Sequence, residues 1–413
     1  MHIPEGWNIL QISEILERIS DPIFPEPEEN YYQIGIRSHG KGLFHKEPVT
    51  GESLGNKRVF RVHPDCFIVN IVFAWEQAVA KTSANEIGMI ASHRFPMFRP
   101  NNNLCDVDYL TYFFKTPKGK YLLGLASPGG AGRNKTLGQN DFSLLKITLP
   151  PTKEQQQIAQ ILSTWDKAIG NLEALIAAKQ KRKKALMQLL LTGNIRFSEF
   201  NGEWGYFHLN DIVHTLVSPV DKKTIENEQP ALLCNYTDVY YNIRITKSLA
   251  FMRATATEQE ISKFSLKKGD VIITKDSETP GDIAIPAFVS DDLGGVVCGY
   301  HLAILRPKKG KIDGEFLSYL FSLPKTRYYF YTLATGATRF GLSIGAIEKA
   351  NFHLPPIDEQ QKIAAVLSIA DKEITTYQNQ LAALKQQKTG LMQQLLTGKR
   401  RVQLEKDVKI VSI

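Results

Sequence analysis

The stretch LPPTKEQQQIAQILSTWDKAIGNLEALIAAKQKRKKALMQLLLTG at residues 149–193 returns as LPPIDEQQKIAAVLSIADKEITTYQNQLAALKQQKTGLMQQLLTG at residues 354–398. The two align without a gap at an offset of 205, Pro150 falling on Pro355. About half of the positions are identical, among them Glu154/Glu359, Asp166/Asp371, Met187/Met392 and Gly193/Gly398. Repetition on that scale means one structural unit written twice. Each copy opens on Pro-Pro, which disfavours helix before it. Capping chemistry follows: Thr152 with Gln155, and Asp358 with Gln361, fit capping boxes whose registers differ by one position. Beyond them Ile158, Ile161, Leu162, Trp165, Ile169, Leu172 and Leu175 recur at helical spacing, as do Ile363, Val366, Leu367, Ile374, Tyr377, Leu381 and Leu384. Gly193 and Gly398 stand where a left-handed cap ends a helix. The pattern predicts two helices of about 40 residues, roughly 60 Å each at 1.5 Å per residue. A striped helix of that length must bury its stripe, and its own duplicate is a ready partner in an antiparallel coiled coil. The alternative, each helix lying on its own globular domain, sits poorly with the length.

The duplication extends upstream. FRPNNNLCDVDYLTYFFKTP (98–117) is echoed by LRPKKGKIDGEFLSYLFSLP (305–324), pairing Arg99 with Arg306, Asp106 with Asp313, Tyr112 with Tyr319 and Pro117 with Pro324. Trp7, Ile12, Glu14 and Ile15 are matched by Trp204, Leu209, Asp211 and Ile212, which marks where each copy begins. Residues 20–90 and 217–295 show little mutual similarity, so two equivalent domains share a frame and differ in content. The expected division is a first domain at 1–148, a helical region at 149–197, a second domain at 198–353, a second helical region at 354–400 and a tail at 401–413. FIVNIVFAW (67–75), DVIITK (270–275), IAIPAFV (283–289) and VVCGYHLAIL (296–305) read as strands, and DVDYLTYFF and GEFLSYLFSL as short helices. The fold class is α+β: two mixed domains separated by two long helices, with an internal pseudo-two-fold duplication.

The chain has 413 residues, 43% of them hydrophobic, enough for several cores. Its net charge of +8 and pI of about 9.0 make nucleic acid a plausible partner without deciding it. Cys66, Cys105, Cys234 and Cys298 lie far apart with no zinc-ligand spacing, as in a reduced cytoplasmic protein. The opening MHIPEGW has no leader character, and no apolar run approaches the ~18 residues of a membrane span. Phosphate-loop, nucleophile-elbow, zinc-protease and methyl-donor signatures are missing, as is a convincing nuclease carboxylate set. No catalytic residue, bound cofactor or metal is therefore expected. Asp106/Asp108 and Asp313/Glu315 begin predicted helices, where negative charge is favourable in any protein. His93 and His301 read as strand or core residues.

Groove reading needs cations for phosphates and guanine edges, and amides for adenine. Three places in each copy qualify. The first is IGIRSHGKGLFHK, with Arg37, His39 and Lys41, set against YNIRITK, with Arg244 and Lys247. The second is Lys275-Asp276-Ser277, with Trp75-Glu76-Gln77 as its weaker match. The third is repeated: Gly130-Ala131-Gly132-Arg133 and Gly336-Ala337-Thr338-Arg339, a shared motif suited to gripping phosphate. Arg327 and the tyrosines around it flank this last loop. The run KQKRKK (179–184) reads either as a DNA patch or as a solvated helix face, and its counterpart LKQQKT is far less basic.

Two variable domains, each followed by LPPxxEQxxIAxxLSxxDxxI and a helix ending LMQxLLTG, resemble the specificity subunit of type I restriction-modification systems over essentially the whole chain. The first domain departs from the family's usual Gly-Asp before the central strand, reading Asp65-Cys66 where the second has Gly269-Asp270. The resemblance implies two target-recognition domains, each reading half of a split site in double-stranded DNA. It also implies paired helices that set the gap between half-sites. Two modification subunits are implied to dock on the helical regions and supply S-adenosylmethionine and methyl transfer, and motor-nuclease restriction subunits to join for cleavage. A purely structural coiled-coil adapter, the competing class, would not need two differing domains with basic loops.

Overall fold

A computed structural model describes residues 3–101, 103–129, 135–221 and 223–403. The expected long helices are present as Thr152–Leu190 and Ile357–Leu395, 39 residues each, or about 58 Å. Both end as expected, with Gly193 at φ 74° and Gly398 at φ 69°. The amide of Ile195 donates to the Leu189 carbonyl (3.2 Å), and that of Arg400 to the Gln394 carbonyl (3.2 Å). These are six-to-one closures that satisfy the last carbonyls.

The chain divides into two compact units, and the division runs through both long helices. Unit one comprises residues 1–173 with 379–413; unit two comprises 174–378. Each unit thus contains one domain, the first half of the helix that follows it and the second half of the other helix. Within unit one the pairs Glu154–Arg401, Asp166–Lys388 and Glu173–Lys385 form, at 2.7, 2.5 and 2.7 Å. One index rises as the other falls, so the helix halves run antiparallel. Unit two repeats this with Arg196–Glu359 (2.7 Å), Lys183–Asp371 and Lys179–Glu373 (2.5 Å). The first two pairs in each unit are equivalent at the offset of 205. Glu154 and Glu359 are almost wholly buried, at 1% and 0% exposure. Two hydrogen bonds from an arginine satisfy each of them, as a carboxylate taken out of water requires.

The helix starts differ from the capping boxes expected. The Thr152 hydroxyl donates to the Asn103 carbonyl (2.6 Å), while the Gln155 amide donates to the carbonyls of Leu104 (2.9 Å) and Pro150 (2.8 Å). The Gln155 carbonyl oxygen accepts from the Asp106 amide (2.8 Å). In unit two Gln360, not Gln361, does this work: it donates to the Pro355 carbonyl (2.9 Å) and accepts from the Asp313 amide (2.9 Å). Buried glutamines therefore hold each helix start to its domain, and the register discrepancy disappears because Gln155 and Gln360 are true equivalents.

Each domain is built on an antiparallel sheet with one strand order. In unit one the order is Val79–Lys81, Phe67–Val69, Met97–Pro100, Leu16–Ile19. In unit two it is Pro286–Val289, Val271–Thr274, Leu302–Pro307, Val213–Val217, with Arg244–Ile245 added in parallel at the first edge. The short helices Val107–Phe114 and Gly314–Phe321 begin on Asp106 and Asp313, whose side chains accept from the Tyr109 and Phe316 amides at 2.8 Å. That is the helix-start role expected of these carboxylates. The core of unit one joins Phe67, Phe114 and Phe142 to Ile158 and Leu162 of one long helix and Leu395 and Leu396 at the end of the other. The core of unit two joins Phe316, Phe321 and Phe330 to Ile363, Leu367, Leu190 and Leu191.

Three expected strands are shorter than their apolar runs, and of these 283–289 is extended only over Pro286–Val289. Residues 67–75 are extended only to Val69, because the Asn70 side chain accepts from the Val72 amide (3.1 Å) and its carbonyl from the Phe73 amide (3.1 Å), turning the chain. The run 296–305 is split into Val297–Cys298 and a strand starting at Leu302, with a turn closed by the Leu302 amide on the Gly299 carbonyl. All four cysteines are buried and free.

Candidate nucleic-acid interface

In unit one, Ile34–Arg37 and Gly42–His45 form a β-hairpin, not the open loop expected. Its tip needs left-handed backbone at His39 (φ 60°) and Gly40 (φ 66°). The amides of His39 and Gly40 donate to the carbonyls of Glu76 (2.6 Å) and Gln77 (2.9 Å), and the Ser38 hydroxyl donates to the Glu76 carboxylate (3.0 Å). Gln77 is in turn tied to the Phe114 and Thr116 carbonyls. The fold thus brings two of the three expected places together, with Trp75-Glu76-Gln77 as the support and the hairpin as the presented edge. Arg37, His39 and Lys41 are all exposed, and the Arg37 guanidinium lies over the Phe44 ring at 4.9 Å. The ring contact holds the guanidinium in place beside the braced tip. Arg133 lies outside the described residues.

In unit two the cations divide. Arg244 is not a free reader. It pairs with Glu315, donates to the Ser368 hydroxyl (3.0 Å) and lies over the Phe288 ring (5.6 Å). It is a half-buried strut, and the short sheet-edge strand it occupies explains why. Arg327, also expected to face DNA, is instead engaged within the domain: it donates to the Ile283 carbonyl and, at 2.5 Å, to the Gly281 carbonyl, bracing the turn at 280–283. Burial there pushes its ionisation below the usual arginine range. Lys247 is exposed, its amide held by Asp291 (3.0 Å).

Lys275 and Arg339, from the second and third expected places, do come together. Asp276–Ser277 pairs antiparallel with Phe340–Gly341. The Asp276 carboxylate accepts from Lys275 (2.7 Å) and lies 3.4 Å from His301 Nδ1, while exposed Arg339 sits 2.9 Å from His301 Nε2. His301 is therefore part of this polar cluster and not a core residue. The match of Trp75 to Lys275 does not hold. The Lys275 amide donates to the His301 carbonyl and its own carbonyl accepts from Leu342. In unit one those same bonds are made by Ile71, with Arg94 and Leu137. Ile71 is the structural counterpart of Lys275, which a sequence slip across a variable segment concealed.

Sequence reasoning also passed over a tyrosine face. Tyr236–Tyr241 is a short helix in which the Tyr236 and Tyr240 rings stack at 5.5 Å and Tyr241 meets Tyr240 edge-on at 4.9 Å. The signal in the sequence is the run YTDVYY, three tyrosines in six residues just ahead of Arg244. In the run 179–184, Lys179 and Lys183 are used in ion pairs, while Lys181, Arg182 and Lys184 are exposed. Among the described residues no cluster of His, Cys, Asp and Glu could hold a metal ion, and no helix is long and apolar enough to cross a membrane.

The model of the type I restriction modification DNA specificity domain matches the chain twice, over residues 4–179 and 201–386. Among curated relatives, the putative type I restriction enzyme MjaX specificity subunit of Methanocaldococcus jannaschii is 25% identical, the alignment covering 97% of this chain and 95% of the relative. The StySPI specificity subunit of Salmonella potsdam is 21% identical over 87% of this chain and 81% of its own. Among solved structures, the HsdS subunit from Thermoanaerobacter tengcongensis superposes with a TM-score of 0.52 at 17% identity, covering 97% of this chain and 99% of that one. The S subunit from M. genitalium gives 0.57 at 14% identity, over 94% and 96%. With two copies of the domain on one scaffold, the chain belongs to the type I restriction modification DNA specificity family and has the role of a specificity subunit.

Proposed function

We propose that this chain reads a split site in double-stranded DNA, one half through each domain, and performs no chemistry itself. The single observation that carries the reading is the contrast inside the duplication. The buried arginine–glutamate corners, caps and helix contacts recur at equivalent residues, whereas the exposed faces differ, a braced cationic hairpin in one domain and a polar and tyrosine-rich cluster in the other. A shared frame with unlike faces suits two unlike half-sites, and duplication takes the place of the dimer that usually reads paired half-sites. Residues 1–148 and 198–353 are the two readers. The helical regions at 149–197 and 354–400 set the spacing and dock two modification subunits, which supply S-adenosylmethionine and methyl transfer. Restriction subunits join that complex for cleavage, in the cytoplasm. Arg37, His39 and Lys41 contact the first half-site; Lys247, Lys275 and Arg339 contact the second; Arg133 grips phosphate.

The test is methylome sequencing of a host carrying this gene with its modification partner, beside the Arg37→Ala/Lys41→Ala variant. Adenine methylation at one split motif, with one half of the motif relaxed or lost in the variant, is the expected result. Absence of sequence-specific methylation that follows this gene overturns the proposal.

A further inference from the structure

The second domain carries a face that has no equivalent among the described residues of the first. Tyr241 is 76% exposed and Ile243 60% exposed, at the end of the helix Tyr236–Tyr241. The Tyr241 ring rests edge-on against Tyr240, and the two half-buried tyrosines beside it are tied to the domain. The Tyr240 hydroxyl reaches the Asp282 carboxylate (3.3 Å) and the Tyr236 hydroxyl lies 3.2 Å from the Ser277 hydroxyl. Asp282 belongs to the turn that Arg327 braces through the Gly281 and Ile283 carbonyls, so this half-buried arginine holds in place the residue to which Tyr240 is tied. Ser277 follows Asp276, which engages Lys275 and His301, and Arg339 lies against His301. The tyrosines and the cations are therefore linked within unit two by one chain of contacts that runs from Tyr236 through the buried Ser277 and its neighbour Asp276 to His301 and the exposed Arg339.

Resting on the two-reader proposal above, we infer that the Tyr236–Tyr240–Tyr241 face is the base-reading element of the second domain, with Lys275 and Arg339 as its phosphate-side flank. The occupant it fits is one half-site of duplex DNA. Flanking cations complement phosphate, the exposed Tyr241 ring offers apolar contact to groove features such as thymine methyls, and the half-buried Tyr236 hydroxyl, held by the buried Ser277 hydroxyl, offers a hydrogen bond to a base edge. A docking surface for a subunit that binds in two copies would be expected in both halves of the duplication. Among the described residues this face occurs in one half, as a reader of only one half-site should.

The experiment uses the full chain in complex with its modification subunit, titrated against its duplex motif and against duplexes with each base pair substituted in turn. In the wild-type complex a substitution at a read position weakens binding about tenfold. Tyr241→Ala should flatten that penalty by about tenfold at positions in one half of the motif and leave the other half as discriminating as before. Tyr236→Phe, which keeps the ring and removes the hydroxyl, should act on the same half to a smaller degree, and guards against a folding defect in the alanine variant. Unchanged penalties, an equal loss across both halves, or loss of modification-subunit assembly with the penalties intact each overturn the inference. A wild-type complex that discriminates in neither half overturns the two-reader proposal instead.

Discussion

Unit one and unit two close the same corner with the same chemistry and then present different faces. In one, Arg401 reaches the buried Glu154 and the Glu5 carbonyl; in the other, Arg196 reaches the buried Glu359 and the Gly202 carbonyl. Tyr112 donates to Asp166 (2.6 Å) as Tyr319 donates to Asp371 (2.7 Å). On the presented faces the equivalence ends: where unit one has Ile71, unit two has Lys275, and unit one carries the hairpin Ile34–His45 while unit two carries the tyrosine helix Tyr236–Tyr241. The comparison teaches that a buried polar frame tolerates little change, because each member would leave another unsatisfied. The exposed face can be rewritten at little cost in stability.

The most damaging way to break the equivalence is at the corner. Arg401→Ala strands the Glu154 carboxylate and should cost about 3 kcal/mol, the low end for breaking a buried pair because the arginine itself is partly in water. Urea unfolding measures it, and Arg196→Ala should destabilise unit two in the same sense. If one corner tolerates the change, the two frames are alike in geometry but not in energy. Next come Gln155→Ala and Gln360→Ala, each leaving buried backbone groups without partners, at about 1–3 kcal/mol. Equal losses in thermal unfolding would sharpen the claim that the glutamines are equivalent.

The helix caps separate the units more finely. Alanine at either glycine must adopt a left-handed backbone, about 1 kcal/mol. At Gly398, however, the added carbon would fall 2.4 Å from Pro4 Cγ, whereas at Gly193 it meets Trp204 no closer than 3.4 Å. Gly398→Ala should therefore destabilise more than Gly193→Ala, and the reverse order would contradict the packing described. The smallest expected change in stability is at the exposed Arg37, where alanine should shift unfolding by under about 0.5 kcal/mol. Arg244→Ala should be readily measurable in the same assay, since Glu315 loses its partner. An Arg37 variant that unfolds early would mean that the hairpin cation is part of the frame.

The sequence by itself determined the duplication, both long helices with their glycine ends, the carboxylates that start the short helices, and the family. Each of these is a local or periodic property, legible wherever 3.6-residue spacing, a cap or a repeated word is legible. Only the tertiary structure decided that each unit takes half of each long helix. It also decided that Gln360 and not Gln361 partners Gln155, that Arg244 and Arg327 are struts, and that Lys275 stands where Ile71 does. These outcomes depend on distances between segments dozens to hundreds of residues apart. An arginine in a variable segment looks the same in sequence whether a carboxylate waits for it in the fold or not, and only the packed neighbours determine whether its charge is consumed inside the protein or left facing outward.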